Sequence, residues 1–478
     1  MDKNEFDIIV IGTGSAGLSV GLFMNEAGFK VLMIDKSDHH IGGECLNDGC
    51  VPSKALIHVS KIMAQANLAS NFGLCIQGKV DLKKALNYVT EAQGHIRSHE
   101  NKSWLENQGI HVVLGEAKFF GKKKIEVAGS IYTSNKIVIA TGSKPRKLQI
   151  PGVEKVNYYD NENIFRIDKF PKRLLIIGGG PIGMEIGQAF NRLGAKVTVV
   201  HRGAHILDHD DIGVTEILLQ QLKKEGIEFL LQAKPESFIT ENEALIKLKD
   251  GNTTKISFDA VFAGIGRELH LEPLQLEKAA IEVKKNKIVS DKHLRTSNKN
   301  VFVCGDVAGN LNFSHAAESH ARMLINNFLS PIKKKLNNDH FSWVTFTDPE
   351  LATFGLNEKQ LKDRNKKYRR LETDFSEEDR AVTDNYRYAK SIMFISQGGL
   401  FHKEKILGGT MVAPNAGELI QELILANTSK LSINAIFNKI YPYPVATRVN
   451  QKTIIEYKQE GLTKNIKKLL KVAFKIFS

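Results

Sequence analysis

The stretch that decides the first fold reads Phe6-Asp7-Ile8-Ile9-Val10-Ile11-Gly12-Thr13-Gly14-Ser15-Ala16-Gly17. Its apolar run predicts a buried strand, and the glycines after it fit the G-x-G-x-x-G turn of a dinucleotide-binding βαβ unit. The next predicted strand ends at Asp35, which is placed to accept hydrogen bonds from a ribose. The glycines let the backbone approach a pyrophosphate, whose charge a helix N-terminus stabilises. A tight glycine turn without a ligand is the alternative.

The same design recurs further along the chain. A predicted strand, residues 174–177, runs into Gly178-Gly179-Gly180-Pro181-Ile182-Gly183, and His201 stands where Asp35 stands in the first copy. Two copies predict two nucleotide cofactors, or a duplication of which one copy has decayed. An acid here suits the ribose of NAD, whereas an Arg such as Arg202 can meet the 2′-phosphate of NADP. Arg202 therefore favours NADPH over NADH, unless it is only a solvated residue of a turn.

A pair of cysteines follows the first copy, in Gly42-Gly43-Glu44-Cys45-Leu46-Asn47-Asp48-Gly49-Cys50-Val51-Pro52-Ser53-Lys54. Cys45 and Cys50 can close on each other across Gly49, and Pro52 could start a helix whose N-terminus favours a thiolate. Zinc is the other use of such a pair, but it needs two more ligands and no second Cys or His pattern is present. We expect no metal site. Cys75 and Cys304 are isolated, and we interpret both as structural.

Composition narrows the class of protein. The chain has 478 residues, 42% of them hydrophobic and 25% charged, as in soluble proteins of several domains. Its formal net charge of +13 predicts a basic surface, but no nucleic-acid-binding signature accompanies it. The first residues include acids where a signal peptide needs a basic region, and no apolar run approaches the roughly 20 residues of a spanning helix. We expect a cytoplasmic protein without a nucleic-acid partner.

The cysteine segment resembles the redox-disulfide signature of the class I pyridine nucleotide–disulfide oxidoreductases. That family includes dihydrolipoyl dehydrogenase, glutathione reductase and mercuric reductase. The likeness extends over about residues 6–460, and its markers stand in the family's order. They are Gly12-x-Gly14-x-x-Gly17, the Cys45/Cys50 motif, Ala140-Thr141-Gly142, Gly178 to Glu185, Gly266-Arg267 and Gly305-Asp306.

The resemblance implies a fold class and an assembly. We expect an α/β protein with two Rossmann-like dinucleotide-binding domains and a C-terminal α+β dimerisation domain, which makes a homodimer. The FAD-binding domain would occupy residues 1–150 and 271–335, with the NAD(P)-binding domain inserted at 151–270. The dimerisation domain would occupy 336–460, before a basic amphipathic tail at 461–478.

The resemblance also implies roles for single residues. Cys45 would be the interchange thiol that meets the substrate, and Cys50 the thiolate that lies against the flavin. Lys54 would sit near the flavin, paired with Glu185. Contacts to FAD or to NADPH or NADH are implied for Gly12, Gly14, Ser15, Ala16, Gly17, Asp35, Lys36, Gly43, Glu44, Lys54, Ala117, Thr141, Gly142, Gly178, Gly180, Ile182, Gly183, His201, Arg202, Gly266, Arg267, Gly305 and Asp306.

The sequence departs from the family's pattern near the C-terminus. Dihydrolipoyl dehydrogenase and glutathione reductase carry there a His-Pro, and Glu follows four residues on. Here Tyr443 replaces that His and Arg448 replaces the Glu. A Tyr at this place, like the stretch from Trp343 to Glu350, is similar to mercuric reductase, although no cysteine follows Cys304. Mercuric reductases end in a vicinal Cys pair, so mercury itself does not follow from this likeness.

We therefore expect an NAD(P)H-dependent flavoenzyme, similar to mercuric reductase, that passes electrons through Cys45/Cys50 to a small-molecule acceptor. Tyr443 is the candidate that would hold this acceptor or act beside the thiols. A strict dihydrolipoyl dehydrogenase is the first alternative, and the missing His argues against it. A soluble transhydrogenase lacks the Cys pair. A flavin-binding redox sensor without turnover would not need both cysteines together with Lys54 and Glu185.

The tail has its own pattern. Six apolar residues follow helical spacing on one face: Ile466, Leu469, Leu470, Ala473, Phe474 and Phe477. Five lysines flank that face: Lys464, Lys467, Lys468, Lys471 and Lys475. This pattern predicts an interfacial helix that touches a membrane or an acidic surface. A helix packed on the protein's own body, with its lysines in water, is the alternative.

Overall fold

The computed structural model describes residues 4–477 apart from 75, 76, 79 and 399–402, so Cys75 lies outside the described residues. The chain forms two compact units. One comprises Met1–Arg202 and Gln232–Asn337, and the other Gly203–Leu231 and Asn338–Ser478.

The first third of the chain alternates strands and helices. Its elements are β1 Glu5–Phe6, β2 Ile8–Ile11, α1 Ser15–Glu26, β3 Val31–Asp35, α2 Gly43–Asn47, α3 Cys50–Leu68, α4 Leu82–Arg97, α5 Lys102–Asn107, β4 His111–Leu114, β5 Lys118–Gly121, β6 Lys124–Val127, β7 Ser130–Ser134, β8 Ile137–Ile139 and β9 Lys144–Pro145.

The middle of the chain repeats this alternation and then returns to the first unit. Its elements are β10 Tyr158–Tyr159, β11 Arg173–Ile177, α6 Pro181–Arg192, β12 Lys196–His201, α7 Ile212–Lys224, β13 Glu228–Leu231, β14 Lys234–Thr240, β15 Glu243–Lys247, β16 Thr253–Ser257, β17 Ala260–Ala263, β18 Arg267–Glu268, β19 Val283–Lys284, β20 Lys287–Ile288, β21 Val301–Val303 and α8 Ser314–Leu329.

The remaining elements belong to the second unit. They are β22 Ser342–Thr345, β23 Glu350–Gly355, α9 Glu358–Asp363, β24 Tyr368–Asp374, α10 Asp379–Thr383, β25 Lys390–Ser396, β26 Ile406–Ala413, α11 Ala416–Leu419, α12 Gln421–Thr428, α13 Asn434–Phe437, α14 Arg448–Glu460 and α15 Lys464–Phe477.

The first nucleotide motif leads out of a parallel sheet of order β21-β8-β2-β3-β4. All four residues of β2 are buried, as expected for a strand covered on both faces. Parallel strands end at one edge of their sheet, and ligands of such sheets bind beyond that edge. The segments that leave this edge begin at Gly12, Lys36, Ala140 and Cys304, so most of the predicted FAD residues lie together.

The second motif leads out of a parallel sheet that contains the order β10-β17-β11-β12. Gly178 follows β11, Gly264 follows β17, and His201 is the last residue of β12. These positions again share the carboxyl edge of a sheet. The predicted NAD(P) residues therefore collect there, as the FAD residues do at the first sheet.

The second unit is built on an antiparallel sheet of order β22-β23-β26-β25-β24. Its core contains side chains from this sheet and from α11 to α14, among them Met411, Leu423 and Ile454. This mixture of an antiparallel sheet with helices is the predicted α+β architecture. The exact domain boundaries given above stay predictions.

Candidate active site

The two cysteines lie on neighbouring helices. Cys45 is in α2 and Cys50 is the first residue of α3. A Cβ atom on Gly49 would lie 2.9 Å from the carbonyl oxygen of Glu44, so only glycine fits this close turn. The helix begins at Cys50, so the interpretation of Pro52 as its first residue was wrong by two positions. Proline lacks an N–H group and is tolerated throughout the first turn.

The pKa values of the two thiols are shifted in opposite directions. The Cys50 Sγ atom lies 3.4 Å from the hydroxyl oxygen of Ser314, the first residue of α8. A hydrogen bond from the Cys45 thiol, the Ser314 hydroxyl and the positive charge of Lys54 lower the pKa of Cys50. The hydrogen bond to Cys50, together with burial, raises the pKa of Cys45. These opposite shifts favour the negative charge of the reduced pair on Cys50 and the proton on Cys45.

An ion pair lies one helical turn beyond Cys50. The Lys54 Nζ atom is 2.7 Å from Oε2 of Glu185, which lies on α6. The Glu185 side chain is only 4% exposed, and a carboxylate this buried requires a partner. Residues four apart share one face of a helix, so Lys54 and Cys50 point to the same side. The structure thus brings together the two charges that the resemblance paired.

A polar cluster joins four predicted segments. Arg267 donates hydrogen bonds to both carboxylate oxygens of Glu44, and its Nε donates to Ser143 Oγ at 2.6 Å. Ser143 in turn donates to Asp306 Oδ2 at 2.6 Å, and Asn161 donates to Glu44. Burial raises the pKa of Glu44 to about 6 although Arg267 opposes it, and burial also raises the pKa of Asp306.

The first nucleotide turn is shaped by its glycines and by Asp35. Gly12 has φ +97°, and a Cβ atom there would lie 2.4 Å from the carbonyl oxygen of Ala140. The backbone N–H of Thr13 donates to Asp35 Oδ2 at 2.7 Å. Asp35 also accepts from the Thr13 hydroxyl and, through Oδ1, from the backbone N–H of Lys36 at 2.7 Å. A carboxylate offers about four lone-pair sites, so Asp35 can hold this turn and keep acceptor capacity for a ribose.

The second turn uses a different side chain in the same place. The backbone N–H of Gly179 donates to His201 Nδ1 at 3.1 Å. His201 is buried, whereas Arg202 is exposed. A neutral imidazole has one acceptor nitrogen, and here Gly179 uses it. Unlike Asp35, His201 therefore offers no further acceptor to a ribose hydroxyl.

Both turns suit phosphate. The residues before α1 and α6, Gly14 and Gly180, make no side-chain cap, and neither helix has an acid in its first turn. By contrast, Asp81 caps α4 by accepting from a backbone N–H of that helix. A Cβ atom on Gly180 would meet nothing within 4 Å, which leaves room for a ligand. The two uncapped helix N-termini fit the pyrophosphates of FAD and of a pyridine nucleotide.

The remaining predicted residues lie in these turns or close to the strand ends. Gly43 packs on the first turn, since its Cβ atom would lie 2.5 Å from Cα of Gly14. A Cβ atom on Gly266 would meet nothing within 4 Å, and Gly305 has a positive φ of +81°. The others, on the adjoining helices and loops, are Ser15, Ala16, Gly17, Lys36, Ala117, Thr141, Gly142, Ile182 and Gly183.

Tyr443 lies in the second unit, whereas the other predicted site residues lie in the first. Its side chain is 68% exposed, and its hydroxyl donates to Asp379 Oδ2 at 2.9 Å. The hydrogen bond to Asp379 raises the pKa of Tyr443. The Arg448 guanidinium lies over the Tyr443 ring, 5.4 Å from its centroid. The residues that replaced the family's His and Glu therefore contact each other.

Sequence reasoning missed several residues of this region. Ser314 could have been noticed as a serine shortly after Gly305-Asp306, since serine is common at helix starts. His320 accepts from the backbone N–H of Gly305 through Nδ1 at 3.2 Å, and burial lowers its pKa to about 4. A neutral His320 thus fixes the turn that carries Asp306. No local signal marked His320, and Ser143 and Asn161 owe their places to tertiary structure.

The described part of the chain contains neither a cluster suited to a metal ion nor a helix suited to cross a membrane. No group of three or more His, Cys, Asp or Glu side chains there is arranged to hold a metal ion. None of the helices there combines the length and the apolar character that crossing a bilayer requires.

Comparison with known families agrees with this geometry. Residues 6–321 match the pyridine nucleotide-disulphide oxidoreductase family, and residues 341–453 match the dimerisation domain of the same enzymes. The chain belongs to this family. The predicted resemblance and the predicted fold class are thereby confirmed.

Individual relatives carry different names. The mercuric reductase of Staphylococcus aureus is 29% identical over 444 residues, which cover 92% of this chain and 80% of that protein. The dihydrolipoyl dehydrogenase of Mycoplasma genitalium is 30% identical over 468 residues, which cover 95% and 99%. Among solved structures, the HOCl-induced flavoprotein disulfide reductase RclA of Escherichia coli superposes with a TM-score of 0.81 at 24% identity, covering 93% and 98%.

The chain is therefore a flavoprotein disulfide oxidoreductase that uses FAD and a pyridine nucleotide. Its dimerisation domain supports the predicted homodimer. The relatives do not agree on a substrate, so the acceptor and the choice between NADPH and NADH are matters for proposal. The roles of single residues and the cytoplasmic location stay predictions.

Proposed function

We propose that this enzyme carries electrons from NAD(P)H through FAD and the Cys45/Cys50 pair to an acceptor that needs no acid from the partner subunit. A soft metal ion and a quinone are such acceptors. The observation that carries this proposal is Tyr443, which stands in place of the family's His and donates its hydroxyl to Asp379 at 2.9 Å.

Different residues of the chain would bind FAD and carry the electrons. Bound FAD would supply the redox chemistry between the nicotinamide and the disulfide. Gly12, Gly14 and Asp306 would hold it, with Lys54 beside its ring. Cys50 holds the negative charge of the reduced pair next to Lys54, and Cys45 keeps the proton. Cys45 is then free to meet the acceptor. When the pair passes two electrons to the acceptor, the Cys45 thiol releases its proton to water and the Cys45–Cys50 disulfide forms again.

The argument against a disulfide substrate concerns protons. Reducing a disulfide releases a thiolate, which leaves more readily when an acid can protonate it. An ordinary His has a pKa near 6.5 and a Tyr near 10, and Asp379 raises the pKa of Tyr443 further. General acid–base assistance contributes about 10²–10⁴-fold to rate. Hg(II) takes two electrons without a proton, two Cu(II) ions take one electron each without a proton, and a quinone can take its protons from water.

Two known proteins indicate which metal ions to test. Relatives of this chain are mercuric reductases, and one structure of the same fold is a Cu(II) complex of RclA. Hg(II) and Cu(II) are thus the first metal acceptors. Dihydrolipoyl dehydrogenase remains the second candidate function, because the Mycoplasma genitalium enzyme matches over 99% of its own length. A sensor without turnover is disfavoured by the Lys54–Glu185 pair, which a non-catalytic flavin site would not require.

The proposed electron donor is NADPH, used at least as well as NADH. His201 offers no free acceptor to a ribose hydroxyl, since its Nδ1 accepts from Gly179. Arg202, exposed beside it, suits a 2′-phosphate.

The test of the acceptor is anaerobic oxidation of NAD(P)H by the holoenzyme with lipoamide, glutathione disulfide, quinones, Hg(II) or Cu(II). We expect fast turnover with a metal ion or a quinone, and slow turnover with both disulfide substrates. Tyr443→His should raise the glutathione disulfide or lipoamide rate, whereas Tyr443→Phe should not. Tyr368→Phe is the matched control, because it removes a similar Tyr–carboxylate hydrogen bond, to Glu358, elsewhere in the second unit. Fast lipoamide turnover by the wild type would contradict the proposal.

A further inference from the structure

The last helix stands apart from the other helices of the second unit in how little of it is covered. The side chains of α15, Lys464–Phe477, are all exposed except that of Ala473, which is half-buried. The preceding helix, α14, buries Val449, Asn450, Thr453 and Ile454. Packing of an apolar face usually stabilises a helix within a protein, whereas the apolar side chains of this helix other than Ala473 are exposed.

The lysines of α15 occupy one side. Consecutive residues of an α-helix are about 100° apart around the axis. On that spacing the five lysines, Lys464, Lys467, Lys468, Lys471 and Lys475, fall within a sector of about 100°. No acid follows Glu460, so nothing on the helix offsets this positive face.

The opposite side is apolar except for Asn465 near its edge. It carries Ile466, Leu469, Leu470, Val472, Ala473, Phe474, Ile476 and Phe477. Leu469 is 69% exposed and Phe477 88% exposed. Exposed apolar faces of this extent on soluble proteins mark sites of interaction.

We propose that α15 docks the enzyme on an anionic lipid bilayer. The apolar face would enter the boundary between headgroups and acyl chains, and the lysines would lie at the level of the anionic headgroups. This division into a wide apolar face and a purely basic face is typical of helices that lie in a membrane interface. Charge complementarity selects the anionic surface, because each basic residue near it adds attraction.

The dimer would strengthen this attachment. A single weak membrane signal gives only reversible attachment, and stable anchoring takes two such signals. A homodimer presents two copies of α15, and the second helix binds at the high effective concentration set by the first. The proposal is independent of the acceptor, so it can fail while the proposed electron path stands.

The experiment uses the FAD-loaded dimer and sedimentation with vesicles. Vesicles of phosphatidylcholine with phosphatidylglycerol are compared with vesicles of phosphatidylcholine alone. We expect the full chain to sediment with the anionic vesicles only, and less at high salt. A chain that ends at residue 462 should stay in the supernatant and keep its activity toward a water-soluble acceptor.

Point variants separate charge from folding. Lys468→Glu with Lys471→Glu should lower the affinity for anionic vesicles at least tenfold, since each basic residue near such a surface contributes about a fivefold factor. Lys366→Glu with Lys367→Glu is the matched control, because it makes the same charge change at exposed residues elsewhere in the second unit. The control should bind like the wild type.

Three results would overturn the proposal. One is equal recovery of the full and shortened chains in the supernatant. Another is equal binding to neutral and anionic vesicles. The third is a shortened chain that dissociates into monomers, which would show that α15 covers the partner subunit instead.

Discussion

The two nucleotide turns share a backbone plan and differ in the side chain that closes it. Asp35 accepts from the backbone N–H of Thr13 at 2.7 Å, and His201 accepts from that of Gly179 at 3.1 Å. The carboxylate keeps acceptor sites for a ligand, whereas the imidazole uses its only one. The turn is thus maintained in both copies, but only the first retains an acid for a ribose. We therefore expect this one position to influence which nucleotide binds without changing the shape of the turn.

The largest effects are expected from removing the glycines that both turns share. Gly12→Ala would place a methyl group 2.4 Å from the Ala140 carbonyl oxygen, and Gly178→Ala one 2.3 Å from that of Gly264. We expect Gly12→Ala to purify with at least fivefold less FAD per chain. Gly178→Ala should keep its flavin, while its KM for NAD(P)H rises at least tenfold. Flavin absorbance per chain and steady-state kinetics measure the two effects.

Controls for this pair lie just after the helices that follow the turns. Gly28 and Gly194 have φ +89° and +109°, and a Cβ atom on either would meet nothing within 4 Å. Gly28→Ala and Gly194→Ala therefore introduce backbone strain of about 1–3 kcal/mol without the clash. Loss of flavin in Gly178→Ala, or full flavin in Gly12→Ala, would show that the two turns do not serve separate cofactors.

A change at the differing side chain should move the nucleotide preference. His201→Asp restores the acid, and a hydrogen bond to a charged group contributes about 1.5–3 kcal/mol. We expect the ratio of kcat/KM for NADH over NADPH to rise about tenfold to a hundredfold. Arg202→Ala should lower kcat/KM for NADPH alone, and Arg202→Lys, which keeps the charge, should lower it less. A strong NADH preference that persists in Arg202→Ala would refute the proposed role of this end of the second turn.

The smallest effect is expected on the pKa of the Cys50 thiol, which Ser314 and Glu185 influence. Ser314→Ala removes a hydroxyl that lowers the pKa of Cys50, and Glu185→Gln removes a negative charge that raises it. The two variants should shift this pKa in opposite directions, each by up to about one unit, the equivalent of about 1.4 kcal/mol. Because the pKa of Cys50 is lowered, its thiolate persists above that lowered pKa and is lost as the pH falls through it.

The measurement is the thiolate-to-flavin absorbance of the reduced enzyme against pH. We expect Ser314→Ala to lose this absorbance at a higher pH than the wild type, and Glu185→Gln at a lower pH. Ser60→Ala serves as the control, since Ser60 also lies on α3 and its hydroxyl donates only to a carbonyl oxygen of the same helix. Shifts of the same sign in both variants would mean that Glu185 does not act through charge.

Much of this site could be predicted from the sequence because it consists of motifs whose residues are close together in the chain. The glycine turns, Asp35, and the cysteine pair each depend on residues that are close in the chain. The contact between Arg267 and Glu44 joins residues 223 positions apart, and that between Cys50 and Ser314 joins residues 264 apart. Such pairings follow from the packing of whole domains. The start of α3 at Cys50 rather than Pro52 shows that a proline indicates the first turn of a helix but not its first residue.

The unequal roles of the two thiols are the central claim, and anaerobic reduction by NADPH tests it most directly. The account predicts that two-electron reduction of the wild type produces a long-wavelength thiolate-to-flavin band. Cys45→Ser should keep that band, because the Cys50 thiolate and its neighbours remain. Cys50→Ser should abolish it. A band that persists in Cys50→Ser and disappears in Cys45→Ser would contradict the assignment of the two cysteines.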